Sequence, residues 1–164
     1  MRQGPIWYLA LAALAAFLSL TVPANAAPRS VMVGSHHLPD SPSAAAFVMS
    51  VRGGFSGNGP FVLTIYANGQ LKLMHPASGR VRLRDRHLVL TANALKGLLK
   101  LAEAEGFFSM RSRIVSKKPL PDASRMSITI TTQEGTKTVS VLGVNVPGFY
   151  ELFSVIDYAA GITT

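Results

Sequence analysis

Between two short runs of alternating apolar residues, Phe61 to Ala67 and Gln70 to Met74, stand only Asn68 and Gly69. Asn-Gly between such runs is the strongest short-range hairpin signal, because a type I′ turn needs positive φ at both central residues. The pair makes the flanking strands antiparallel neighbours. Phe61, Leu63 and Ile65 then share one face, and a one-residue slip would turn all of them outward.

The period of two recurs along the chain. Phe47, Met49 and Val51 alternate with Val48, Ser50 and Arg52, and Arg80 to Arg84 alternates arginine with Val81 and Leu83. Met126, Ile128 and Ile130 alternate with hydroxyl residues. Glu134-Gly135 turns the chain, and Lys137 to Leu142 returns with Val139 and Val141 inward. Two stretches have helical periodicity instead. Thr91 can cap a helix whose stripe is Leu95, Leu98, Leu99 and Ala102, with Leu90 and Leu95 spaced as a hydrophobic staple. Gly97 costs about 1 kcal/mol against alanine there, which close packing would explain. Gly106 ends this helix at positive φ, and Phe107 folds back on its last turn. Pro147 opens the second helix, with Phe149, Leu152, Phe153, Ile156 and Ala160 as its stripe and Gly161 as its end. Residues 109–124 are polar, basic and proline-containing, and read as a long loop. The order predicts an α+β fold: a mainly antiparallel sheet of hairpins with two helices packed on one face.

The first 26 residues have another purpose. Arg2 precedes an almost wholly apolar run from Ile6 to Val22, Pro23 breaks it, and Ala24-Asn25-Ala26 supplies the small-x-small pattern of a signal peptidase site. Residues 1–26 are therefore expected to be a signal peptide, cleaved after Ala26, that delivers a periplasmic or secreted protein. Residues 27–45, with Pro28, Pro39, Pro42 and Gly34, read as a flexible linker. A single domain is expected over 46–160, with a tail over 161–164. The chain of 164 residues has no cysteine, which excludes disulfides, thiolate metal sites and a cysteine nucleophile. With Arg2 removed, 15 basic residues face 8 acidic ones. Such a balance favours anionic neighbours, and export removes the protein from most nucleic acid.

One ordered set of short motifs carries a resemblance. Arg52-Gly53-Gly54-Phe55 ends a strand, Asn68-Gly69 joins two more, and Leu90-Thr91 leads into the leucine-rich helix. Ala104-Glu105-Gly106-Phe107-Phe108 follows, and then Pro121-Asp122 before a strand of the Ile-Thr-Ile type. Over residues 46–160 this resembles the emfourin family, small inhibitors of protealysin-type peptidases, and similar uncharacterised secreted bacterial proteins. The resemblance implies a non-catalytic binding domain with a protein partner. One role it implies is occlusion of a thermolysin-like metallopeptidase.

Candidate chemistry is sparse. The glycines at 53, 54, 57 and 59 resemble a phosphate cradle, but Pro60 and a strand follow where a helix N-terminus is needed. Asn58 takes the place of the last glycine in a nucleophile elbow around Ser56. His36, His37 and Asp40 have a permissive metal spacing without an evident fourth ligand. Asp85 and His87 would share a strand face, but no nucleophile is at hand. The protein is expected to be no enzyme and to need no cofactor or metal. The binding candidates are Arg52, Gly53, Gly54 and Phe55, and a basic group of Arg80, Arg82, Arg84, Lys117 and Lys118, with Lys72 on a neighbouring strand. Arginines alternating on one strand face would hold carboxylates or phosphates bidentately. Two readings follow: a binding module for a protein partner, including a peptidase, or an envelope-associated protein holding an anionic polymer or lipid surface.

Overall fold

The computed structural model describes residues 36–53, 59–74, 81–85, 87–118 and 121–163. The elements are β1 (Ala45–Arg52), β2 (Phe61–Tyr66), β3 (Leu71–Met74), β4 (Arg82–Leu83), α1 (Ala92–Ala104), β5 (Arg113–Val115), β6 (Arg125–Thr132), β7 (Gly135–Leu142), α2 (Pro147–Ala159) and β8 (Ile162–Thr163). Six strands form one sheet in the order β3-β2-β1-β6-β7-β5, and β4 pairs with β8 in a separate ribbon. All pairings are antiparallel except β5 with β7. The α+β architecture is as the periodicity predicts.

The alternation settles which face is buried. Phe47, Met49 and Val51 of β1 stand opposite Ile65, Leu63 and Phe61 of β2 on one side. On the other side they stand opposite Ile130, Ile128 and Met126 of β6. These side chains join Val139 and Val141 of β7, Leu95, Leu98, Leu99 and Ala102 of α1, and Phe149, Leu152 and Ile156 of α2 in one core. Phe107 is fully buried beside them, a burial worth about 1.5–3 kcal/mol.

Local signals placed the helix ends. The Ala94 amide donates to Thr91 Oγ1 at 3.2 Å, and both staple leucines are buried. Gly106 has φ +69° and Gly161 φ +61°, each just past a helix. Gly97 departs from expectation. It is exposed, and a Cβ there would meet nothing within 4 Å, so no close packing accounts for it.

Three further differences have physical causes. The β2–β3 turn is not type I′. Gly69 has φ +83°, but no non-glycine described has positive φ, which leaves Asn68 outside the left-handed region. The Gly69 amide donates to the Tyr66 carbonyl at 2.9 Å, and the Tyr66 amide to the Gln70 carbonyl at 2.9 Å. This is a type I turn closed by a glycine bulge, a three-residue hairpin loop. Second, part of the expected 109–124 loop is β5, which lies parallel to β7 with Ile114 opposite Val141. Third, β4 covers only two residues of the expected 80–84 strand, and it pairs with β8 outside the sheet that contains β3.

Residues 36–44 fall within the flexible linker that the sequence predicts over 27–45, yet they are bonded to the domain. The His36 amide donates to Glu103 Oε1 at 2.9 Å, and its ring stacks on Phe108 at 3.8 Å. The Gln133 amide donates to the His37 carbonyl, and Ala67 and Asn68 donate to Ala44 and Pro42. Leu38 packs against the core.

Candidate functional site

With both helices on one face, the other side of the sheet is open among the described residues. Alternation puts Lys72, Thr64, Val48, Thr129 and Thr138 in one row across the strands. The next row holds Met74, Val62, Ser50, Ser127, Ser140 and Arg113. Hydroxyls knit neighbouring strands together: Ser50 Oγ lies 2.8 Å from Ser127 Oγ, and Thr129 Oγ1 lies 2.9 Å from Thr138 Oγ1.

A third row lies at the strand ends. Arg52 stands directly opposite Arg125, which stands opposite Leu142, which stands opposite Val115. Both arginines are exposed. Cross-strand neighbours of this kind have Cα atoms about 5 Å apart, and like charges there repel. Arg113 lies one row back on β5, and exposed Lys117 and Lys118 leave β5 at this same end of the sheet. Among the described residues none of these five cations is paired with a carboxylate. The nearest acid along the chain, Asp122, is exposed in the turn leading into β6. The end is held in shape by Ser124, whose hydroxyl donates to the Gly53 carbonyl at 3.0 Å, and by Gly53 at φ +69°. Beside it a shallow basin of about 560 Å³ is lined by Ser124, Met126, Gly143, Asn145 and Tyr150 among others.

The expected binding residues therefore divide. Arg52, Gly53, Lys117 and Lys118 belong to one end of the sheet. Arg82 and Arg84 lie at the β4–β8 ribbon, where the Arg84 amide donates to the Gly161 carbonyl at 2.7 Å. Lys72 is on β3, in a different sheet from β4. Gly54, Phe55 and Arg80 lie outside the described residues. Sequence reasoning missed Arg125 and Arg113. Arg125 had a signal, since the inward Met126, Ile128 and Ile130 imply an outward residue 125. Its pairing with Arg52 had none, because β1 and β6 are distant along the chain.

The other candidates form no constellation. His36 Nδ1 lies 3.0 Å from Glu103 Oε1, and His37 Nδ1 lies 3.0 Å from Glu134 Oε1, so the histidines turn to separate elements. Asp40 accepts from Gln133 Nε2 at 2.7 Å. No group of three metal-ligating side chains occurs among the described residues. Asp85 Oδ1 accepts from the His87 amide at 2.8 Å, which makes it a turn-forming carboxylate. The His37 contact, helped by a backbone hydrogen bond of its own, holds the Glu134 carboxyl down at about 2. Burial pushes the Asp157 carboxyl up. A groove of about 250 Å³ between residues 36–38 and α1 is lined by His36, His37, Leu38, Lys96, Leu99, Lys100 and Glu103.

Arg125 opens β6, while Glu134 follows its other end and meets His37 there. The chain matches no protein-family model, no curated protein and no solved structure.

Proposed function

We propose that the protein is an exported, non-catalytic binding module that holds an anionic partner at the Arg52–Arg125 end of its sheet. The observation that supports this is the register of β1 on β6, which sets two exposed arginines side by side without a carboxylate between them among the described residues. Such a pair costs stability when empty. A bound oxyanion reverses that cost, because each guanidinium offers a planar fork of donors to it. Export is supported by Ala24-Asn25-Ala26 behind an apolar run.

The test is binding of labelled polyphosphate and labelled polyglutamate, read by fluorescence anisotropy at about 0.05 and 0.5 M salt. Affinity should fall steeply with salt, and the double variant Arg52→Ala/Arg125→Ala should weaken it at least roughly tenfold. Unchanged affinity in that variant would refute the site.

A further inference from the structure

The geometry of the basic end points to the form of the partner as well as its charge. Building on the anionic-partner reading above, we infer that it is a linear polyanion lying across the strand ends, from Arg52 toward β5. Neighbouring strands are about 4.8 Å apart. Arg52 on β1 and Arg125 on β6 are therefore one spacing apart. Two more spacings across β7 reach β5, with Arg113 on it and Lys117-Lys118 directly after it. The cations span three strand spacings, about 14 Å, in a direction perpendicular to the strands. A single phosphate or sulfate bridges Arg52 and Arg125 but cannot also reach β5. A chain carrying several oxyanions can.

Two further features favour a polymer over a lipid surface. Among the described residues, the exposed large apolar side chains are Met74, Val89, Val115 and Tyr158, and only Val115 lies in the arginine row. Binding to a membrane surface is strengthened where aromatic and leucine side chains enter the lipid beside the cations. The row behind the arginines places Ser50, Ser127 and Ser140 in register between Arg113 on β5 and Val62 on β2, with exposed Met74 at its far end on β3. Ser50 is buried and its hydroxyl contacts that of half-exposed Ser127; with Ser50 as the donor, the Ser127 hydroxyl keeps its own hydrogen for a ligand oxygen. Hydroxyls beside a row of cations suit a phosphate- or sulfate-bearing chain.

The experiment is a length series of linear polyphosphates, beginning at pyrophosphate, titrated against the mature protein by calorimetry. Phosphatidylglycerol vesicles are run in parallel. Affinity should rise with chain length until about 14 Å is spanned and then level off. The slope of log K against log salt should be roughly −3 for four or five engaged cations, by the rule for flexible anionic strands. Arg52→Ala, Arg113→Ala and Arg125→Ala should each reduce the slope by about 0.7. Lys96→Ala/Lys100→Ala, on α1, should leave it unchanged. Thermal melts of each variant separate lost binding from lost folding. Pyrophosphate binding as tightly as the longest chain, or vesicles binding where polyphosphate does not, would overturn the polymer inference and leave the anionic site standing. No binding by any of these probes would remove both.

Discussion

Gly69 and Leu90 hold the edge of the sheet by their backbones: the Leu90 amide donates to the Gly69 carbonyl at 2.9 Å, and a Cβ on Gly69 would overlap the Leu90 carbonyl oxygen. A neighbouring bridge joins Gln70 to Val89. The hairpin turn is thus also the seat of the segment that leads into α1. Gly69 is required twice, for its φ of +83° and for the space its missing side chain leaves. Gly69→Ala should destabilise the domain by roughly 2–4 kcal/mol through strain and overlap. Gly53→Ala has a similar φ but nothing within 4 Å, and should cost only about 1 kcal/mol. Urea midpoints of the two variants check this, and equal midpoints would refute the Leu90 contact.

Gly97 carries the opposite sign. It is exposed in the middle of α1 with open space around its Cα. Alanine lowers the backbone entropy of the unfolded chain and adds no clash, so Gly97→Ala should stabilise by about 1 kcal/mol. A lower melting temperature for this variant would mean that something packs on that face of the helix.

Gly148, in the first turn of α2, sits against the end of α1. A Cβ there would lie 2.8 Å from Glu105 Oε2 and 2.9 Å from the Glu105 carbonyl oxygen. The carboxylate can swing away, but the carbonyl belongs to the cap of α1. Gly148→Ala should therefore cost about 1–3 kcal/mol, and adding Glu105→Ala should recover only part of it. Full recovery in the double variant would show that the side chain alone sets the spacing of the helices.

Two carboxylates give opposite pH signatures. The Glu134 carboxyl is held down at about 2 in the folded protein, chiefly by His37. Its contribution is present above its ordinary value of 4.5 and is lost as pH falls toward about 2. Asp157 is pushed up by burial, so its ionisation weakens the fold as pH rises through its unfolded value. Denaturant melts between about pH 2 and 7 should show a smaller acid loss for Glu134→Gln than for the wild type. Asp157→Asn should gain stability at neutral pH. An unchanged acid limb for Glu134→Gln would refute the His37 contact.

What could be read from sequence was what neighbours decide. Thr91, Gly106 and Gly161 end their helices through bonds a few residues long, and the inward strand residues follow from alternation. Even so, Asn68-Gly69 gave the hairpin without its geometry, since a three-residue loop with a glycine bulge uses the same two letters. Arg113-Ile114-Val115 has too little pattern to announce a strand. It becomes one because β7 offers a partner for Ile114. His36 and His37 looked like linker because their partners, Glu103 and Glu134, lie far along the chain. The basic site was half legible for the same reason. Each arginine's outward direction was local information, whereas the meeting of Arg52 with Arg125 depends on strand order.

The two ends of β6 set a polarity for the whole domain. His37 is fastened beside Glu134 past one end, and Arg125 is the first residue at the other, so the eight-residue strand sets them about 25 Å apart. The Glu134 carboxylate and the paired arginines thus stand at opposite ends of one strand. An anion captured by Arg52 and Arg125 therefore lies a full strand length from His37 and Glu134, and the length of β6 sets that separation.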